Sequence, residues 1–233
     1  MNLTDLFIQQ RKLDEEIERK HPVHQGEDRL AKKLLALSVE LGECANEWRG
    51  FKFWSENQEP RKIVSSCPAK EADYFFCGIG HEKLAVDEVF ENGTYCDEHE
   101  TFLMPMKNRN TLLEEYIDCI HFALSIGNDY TDRHGEGEGT SVFLNIFDYQ
   151  EDEGDEYSKE SIVCQFNGIY NLIGLLSNKT DGTYQVEYAL DACSKMINNI
   201  IGLGEMLGFT WEQIEQAYMS KNAVNYQRQE SGY

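Results

Sequence analysis

Cations are scarce in this sequence. Lys and Arg together number 21 against 42 Asp and Glu, and the formal net charge is −21. That imbalance argues against general binding to nucleic acid or to an anionic membrane, both of which need a basic surface. Long apolar runs are missing too, so no transmembrane helix is expected and the chain has no membrane role. The opening stretch MNLTDLFIQQRKLDEEIERK lacks the apolar centre of a signal peptide and reads instead as an amphipathic helix. No CxxC is present. The seven cysteines are odd in number, and Cys44, Cys119, Cys164 and Cys193 fall within helical patterns. They read as reduced, buried thiols of a cytoplasmic protein.

What the chain does have is length and acid. Its 233 residues, 41% of them hydrophobic, suffice for one large domain or one domain with an insertion. Leu34 to Ser55 carries Glu40, Glu43 and Glu47 at spacings that share one helical face. Leu34, Leu37 and Leu41 beside them form the stripe of a buried helix. Alone, the acids would be a solvated surface. A second stretch, Leu112 to Gly127, repeats the device with Glu115 and Asp118, while Leu113, Ile117, Ile120 and Leu124 face inward. Four oxygen donors converging from two antiparallel helices suit a hard divalent cation, above all Mg²⁺. His121 follows Asp118 by three, which leaves an iron site open on spacing alone. A metal would also explain how so acidic a chain accepts an anionic substrate.

In chain order, a first helix is expected over 4–20 with Thr4 as its cap, then a loop from His21 to Asp28. The helix bearing Glu40 runs over about 29–47 and breaks at Gly50, within an aromatic cluster around Lys52. From Pro60 to about Asn110 the helical period fades. Cys67, Cys77, His81, Cys96 and His99 fall in this small, irregular insertion, which has some strand character. Such soft ligands can hold Zn²⁺, but the spacings match no standard finger, and packing or loop cysteines are the simpler reading. Asn128 to Thr140 and Gln150 to Ser158 read as acidic loops, with a short piece over 141–149 between them. Helices follow over 160–178 and 185–207, with Gly208 as a C-cap. Thr210 caps the last helix. In its tail Lys221, Asn225 and Arg228 form either a phosphate clamp or a helix end with favourable dipole cations.

Three blocks carry a family resemblance: IQQRKLDEEI, then VELGECANEWRGFKFWS with LEEYIDCIHFALSIG, then YMSKNAVNYQRQESGY. The sequence resembles the dimeric, all-α dUTPases, metal-dependent relatives of the MazG-type nucleotide pyrophosphohydrolases, and is similar to members from Gram-positive bacteria and their phages. The paired acidic motifs alone support only the wider superfamily; the terminal KNxxNxxRQxxGY pattern is the more specific signal. The resemblance implies an all-α, multi-helix bundle of the all-α NTP pyrophosphohydrolase type, spanning 1–233 as one domain interrupted at about 60–110. It implies hydrolysis of dUTP to dUMP and diphosphate, with dUDP as a further candidate substrate, in a homodimer in the cytoplasm of a bacterium or an infected host. Glu40, Glu43, Glu115 and Asp118 would bind more than one Mg²⁺, and Glu40 or Glu43 would orient the attacking water. Gln10 and Asp14 match the uracil-reading pair; the family often has Asn where this chain has Asp14, which cannot donate a hydrogen bond while ionised. Trp54 and Lys52 match residues beside the nucleotide, Lys221, Asn225 and Arg228 the phosphate-binding tail, and His121 a position behind the second metal motif. Two other readings stay open. One is a MazG-like pyrophosphohydrolase of another nucleotide such as dCTP. The other is a phage regulator acting by contact with a protein partner.

Overall fold

The computed structural model of the chain describes residues 2–61, 63–80, 83–87, 89, 93–134, 158–178 and 183–232. Among these lie six helices: α1 (Leu3–Lys20), α2 (Arg29–Trp48), α3 (Thr111–His134), α4 (Lys159–Ser177), α5 (Thr183–Met206) and α6 (Trp211–Glu230). Residues 1–59 with 112–233 form one compact unit and residues 60–111 a second. No helix among the described residues is long and apolar enough to cross a membrane.

The helices start where a side chain can satisfy the open N–H groups of a first turn. Asn2, not Thr4, caps α1: its side chain accepts from the Asp5 N–H, and Asp5 answers by accepting from the Asn2 N–H. Asp28 caps α2. Thr210 caps α6 in the same reciprocal way with Gln213, as the sequence suggests. At the far end of α5, Gly208 sits at φ 84°, a conformation that costs other residues more. Gly50 serves a different end. The left-handed residue that stops α2 is Arg49, at φ 67°. A Cβ on Gly50 would lie 2.3 Å from the Trp48 ring, so its bareness lets that indole fold back and stack on Phe166.

The core of the helical unit joins Leu6 and Phe7 of α1, Leu34, Leu37 and Leu41 of α2, and Ile117, Ile120 and Leu124 of α3. From α4 and α5 it takes Ile169, Ile173, Met196 and Ile200. Helix α4 packs along α5 and α2, and α1 along α6. A fully buried leucine such as Leu41 contributes about 2–3 kcal/mol through this burial. Two expectations fail here. Helix α3 continues to His134 where a loop is expected from Asn128. Its polar residues are buried rather than solvated: Asn128 donates to the Phe7 carbonyl and Thr131 to carbonyls one turn back. Cys164 is exposed rather than buried, on the face of α4 away from Ile162 and Phe166. The acidic loops expected within 135–157 lie outside the described residues, as does His81.

The second unit is built of short antiparallel strands: β1 (Ile63–Ser66), β2 (Tyr74–Phe76), β3 (Lys83–Leu84), β4 (Tyr95–Cys96), β5 (Thr101–Phe102) and β6 (Met104–Arg109). One sheet has the order β1-β6-β2-β3, with Phe75 opposite both Pro105 and Leu84; β4 and β5 pair separately. The stretch that reads as irregular is therefore a small β unit in an otherwise all-α chain.

Candidate active site

Four acidic side chains come from two helices, Glu40 and Glu43 from α2 and Glu115 and Asp118 from α3. Carboxylate oxygens of Glu40, Glu43 and Glu115 all lie within 4.8 Å of one another. The crowding has an electrostatic cost. Burial first, then the charges of Asp118, Glu43 and Glu40, push the Glu115 carboxyl up to about 7, against the opposing pull of Lys221. Glu40 is raised as well, by burial and then by Asp118 and Glu43. Oxygens in this state lack positive charge, and a hard divalent cation with oxygen ligands supplies it. The residues present thus fit Mg²⁺. No imidazole belongs to the cluster among the described residues. His121 does not converge with the three glutamates, so the iron reading from spacing finds no nitrogen donor in that cluster.

Asp118 is not part of that cluster; its Oδ2 accepts from the Lys221 ammonium at 2.5 Å. Both residues line a cavity of about 360 Å³ that Glu40 also borders, within the range of small-molecule pockets. Asn225 and Arg228 of α6 lie on it with Lys221, so the cationic tail and the acidic helices share one space.

A hydrogen-bonded chain also lines the cavity. Gln10 is buried on α1. Its Oε1 accepts from His121 Nδ1 at 2.8 Å and from the Tyr218 hydroxyl at 3.0 Å. Its Nε2 donates to Asp14 Oδ1 at 2.9 Å, which also accepts from Ser125 at 3.0 Å. The imidazole stacks on the Tyr218 ring at 4.2 Å. Burial first, and Lys221 second, pull its pKa down to about 3, so His121 is neutral with its proton on Nδ1. Two buried atoms of this wall, Asp14 Oδ2 and His121 Nε2, have no hydrogen-bond partner. Buried polar atoms are nearly always satisfied, and unsatisfied ones beside a cavity point to a polar ligand.

Of the residues singled out in the sequence, the structure brings Gln10, Asp14, Glu40, Asp118, His121, Lys221, Asn225 and Arg228 to one cavity, with Glu43 and Glu115 beside Glu40. Lys52 and Trp54 are not among its lining residues. Lys52 donates to the Asn46 side chain and carbonyl, and Trp54 is 66% exposed. Sequence reasoning missed Tyr218, Ser125, Arg29 and Lys33. Tyr218 lies one turn before Lys221 on α6, and Arg29 and Lys33 share the α2 face of Glu40, so helical spacing from the motif residues is the signal that would have found them.

Asp14 gives a pH signature. Burial raises its carboxyl above the ordinary range, although Lys33, Gln10 and Ser125 work the other way. The folded chain therefore holds this proton more tightly than the unfolded chain. Stability from this group is greatest below the unfolded value of about 3.9 and is lost as pH rises through the folded value. Asp14→Asn keeps an oxygen for Gln10 and Ser125 and removes the buried charge. The variant should be at least as stable as wild type at pH 7 and lose less stability between acidic and neutral pH. Urea unfolding at several pH values measures both, and an equal pH dependence in the two proteins would refute it.

The sequence model of the dUTPase family matches residues 2–66 and 89–233. No curated protein and no solved structure matches significantly. The family match takes in both carboxylate helices, the helix of Gln10 and the cationic tail, and over that span the chain belongs to the all-α dUTPase family, whose activity is that of a dUTP diphosphatase.

Proposed function

We propose that this cavity binds dUTP with its base toward Gln10 and Asp14 and its triphosphate toward Lys221, Asn225 and Arg228. We also propose that hydrolysis to dUMP and diphosphate requires Mg²⁺ held by Glu40, Glu43, Glu115 and Asp118. The observation that carries this reading is the shared cavity: Glu40 and Asp118 border the same space as the Gln10 wall and the α6 cations. When bound, the ions would neutralise the triphosphate and lower the pKa of an attacking water. The chain's own groups do the rest. Glu40 or Glu43 orients that water and accepts its proton. The Lys221 ammonium and Arg228 guanidinium meet charge building on the phosphoryl oxygens. The second N–H of Gln10 Nε2 donates to a uracil carbonyl, and Asp14 Oδ2 accepts the N3–H while ionised. His121 holds the Gln10 amide in the orientation that makes this possible. Trp54, with Lys52 close by in sequence, offers a flat exposed ring for a nucleotide, and a homodimer is the assembly we propose.

A panel of deoxynucleoside triphosphates, with diphosphate release as the readout, tests the reading. Turnover should be greatest with dUTP, vanish on chelation and return with added Mg²⁺. A preference for dCTP would move the site to the wider pyrophosphohydrolase class, and full activity in chelator would remove the metal.

A further inference from the structure

The β unit has a small core of its own. Among its described residues only Phe75, Cys77, Val89 and Leu103 form the buried apolar cluster. Units below roughly 70–80 residues usually rely on a disulfide, a metal or unusually dense packing. Residues 60–111 are well under that size.

Two sulfurs and an imidazole meet in this unit. Cys77 follows β2, Cys96 ends β4, and His99 lies in the turn to β5. Their ligand atoms all lie within 4.8 Å of one another, with Cys96 Sγ 3.4 Å from His99 Nδ1. Zinc bonds of about 2.3 Å to sulfur and about 2.0–2.1 Å to nitrogen, at tetrahedral angles, set an S···N edge of about 3.5 Å. The Gly80 N–H donates to Cys77 Sγ at 3.4 Å, and the N–H groups of His99 and Glu98 bond the Cys96 sulfur. Despite these contacts, burial and the neighbouring Cys77 sulfur push the Cys96 thiol up. Gly80 makes the approach possible, since a Cβ there would lie 2.5 Å from Cε1 of His99. Both cysteines are free of any disulfide.

We propose that Cys77, Cys96 and His99 bind one zinc ion, which ties the end of β2 to the β4–β5 hairpin. The fourth tetrahedral position is left to water or another donor. Sulfur and imidazole ligands suit Zn²⁺ and reject Mg²⁺, so this site is chemically separate from the carboxylate cluster and independent of the dUTP reading. The family match leaves out residues 67–88, which carry Cys77 and Gly80, and takes in Cys96 and His99.

Full-length protein purified from zinc-supplemented medium without chelator should carry about one zinc ion per chain by elemental analysis. Cys96→Ala at the end of β4 and His99→Ala in the turn after it, both half-buried, should each reduce the content by about tenfold or more. Metal-stripped wild type loaded with Co²⁺ should show thiolate-to-cobalt charge transfer and the intense visible bands of a tetrahedral site. Stripping should also open residues 60–111 to protease. Three results would each overturn the proposal: zinc-free protein, zinc retained in both variants, or a Cys77–Cys96 disulfide found by mass spectrometry.

Discussion

Glu43→Gln should lower kcat for dUTP by about 10³-fold and leave the fold intact. The magnitude is that of losing a positioned proton acceptor together with a charged oxygen ligand. Glu43 is exposed on α2, so no packing depends on it. The substitution is nearly isosteric and removes one of the charges that raise Glu115, so the Glu115 pKa should fall from about 7 toward its ordinary range. A carboxylate titration by NMR reads that shift independently of turnover. Rates across a wide range of Mg²⁺ concentrations separate weakened metal binding from a lost chemical step. Glu47, one turn further along the same helix, is outside the carboxylate cluster, and Glu47→Gln should keep most of the activity. Near-normal turnover by Glu43→Gln at any Mg²⁺ concentration would sink the assignment.

Gln10→Leu should do two kinds of damage at once. The side chain is 3% exposed and satisfies the His121 Nδ1–H, the Tyr218 hydroxyl and one oxygen of Asp14. Leucine strands the His121 Nδ1–H and leaves the Tyr218 hydroxyl only the Leu6 carbonyl at 3.4 Å, and a stranded group costs about 1–3 kcal/mol. Loss of unfolding free energy of about 2–5 kcal/mol follows, visible in urea melts. The missing amide donor to the base should also lower kcat/KM for dUTP by about 10²-fold, mostly through KM. Assays at a temperature where the variant is fully folded keep the effects apart. A destabilised enzyme with unchanged kcat/KM would mean that Gln10 braces the fold without touching the nucleotide.

The helical part of the fold was legible because its signals are local. Leu34, Leu37 and Leu41 mark a buried stripe at helical spacing, and the reciprocal cap at Thr210 needs only four residues of sequence. The extension of α3 to His134 was not legible. Asn128 and Thr131 look like loop residues until their partners on α1 and in the preceding turn are known. The β unit hid for another reason: strands of two or three residues are too short to show alternation, and their pairing is set by residues far apart in sequence. At the cavity, the spacing of the acids suggested that Glu40, Glu43, Glu115 and Asp118 form one site; the three glutamates lie together, while Asp118 is outside that cluster and paired with Lys221. The raised Asp14 carboxyl and the neutral His121 could not be read, since both follow from burial by helices distant in the chain. Cys77 and Cys96 were visible only as candidates, because no standard spacing joins them and they come from two separate sheets.

The ion pair between Asp118 and Lys221 has a thermodynamic consequence. On the proposed roles, each residue occupies the place the other's ligand must take. A cation that claims Asp118 releases Lys221 for a phosphate, and a phosphate that claims Lys221 frees Asp118 for a cation. Each ligand thereby spares the next the cost of breaking the pair, and by reciprocity the gain is the same in either order of arrival. A chain of net charge −21 then holds its catalytic cations weakly alone and more tightly in the company of the substrate they serve.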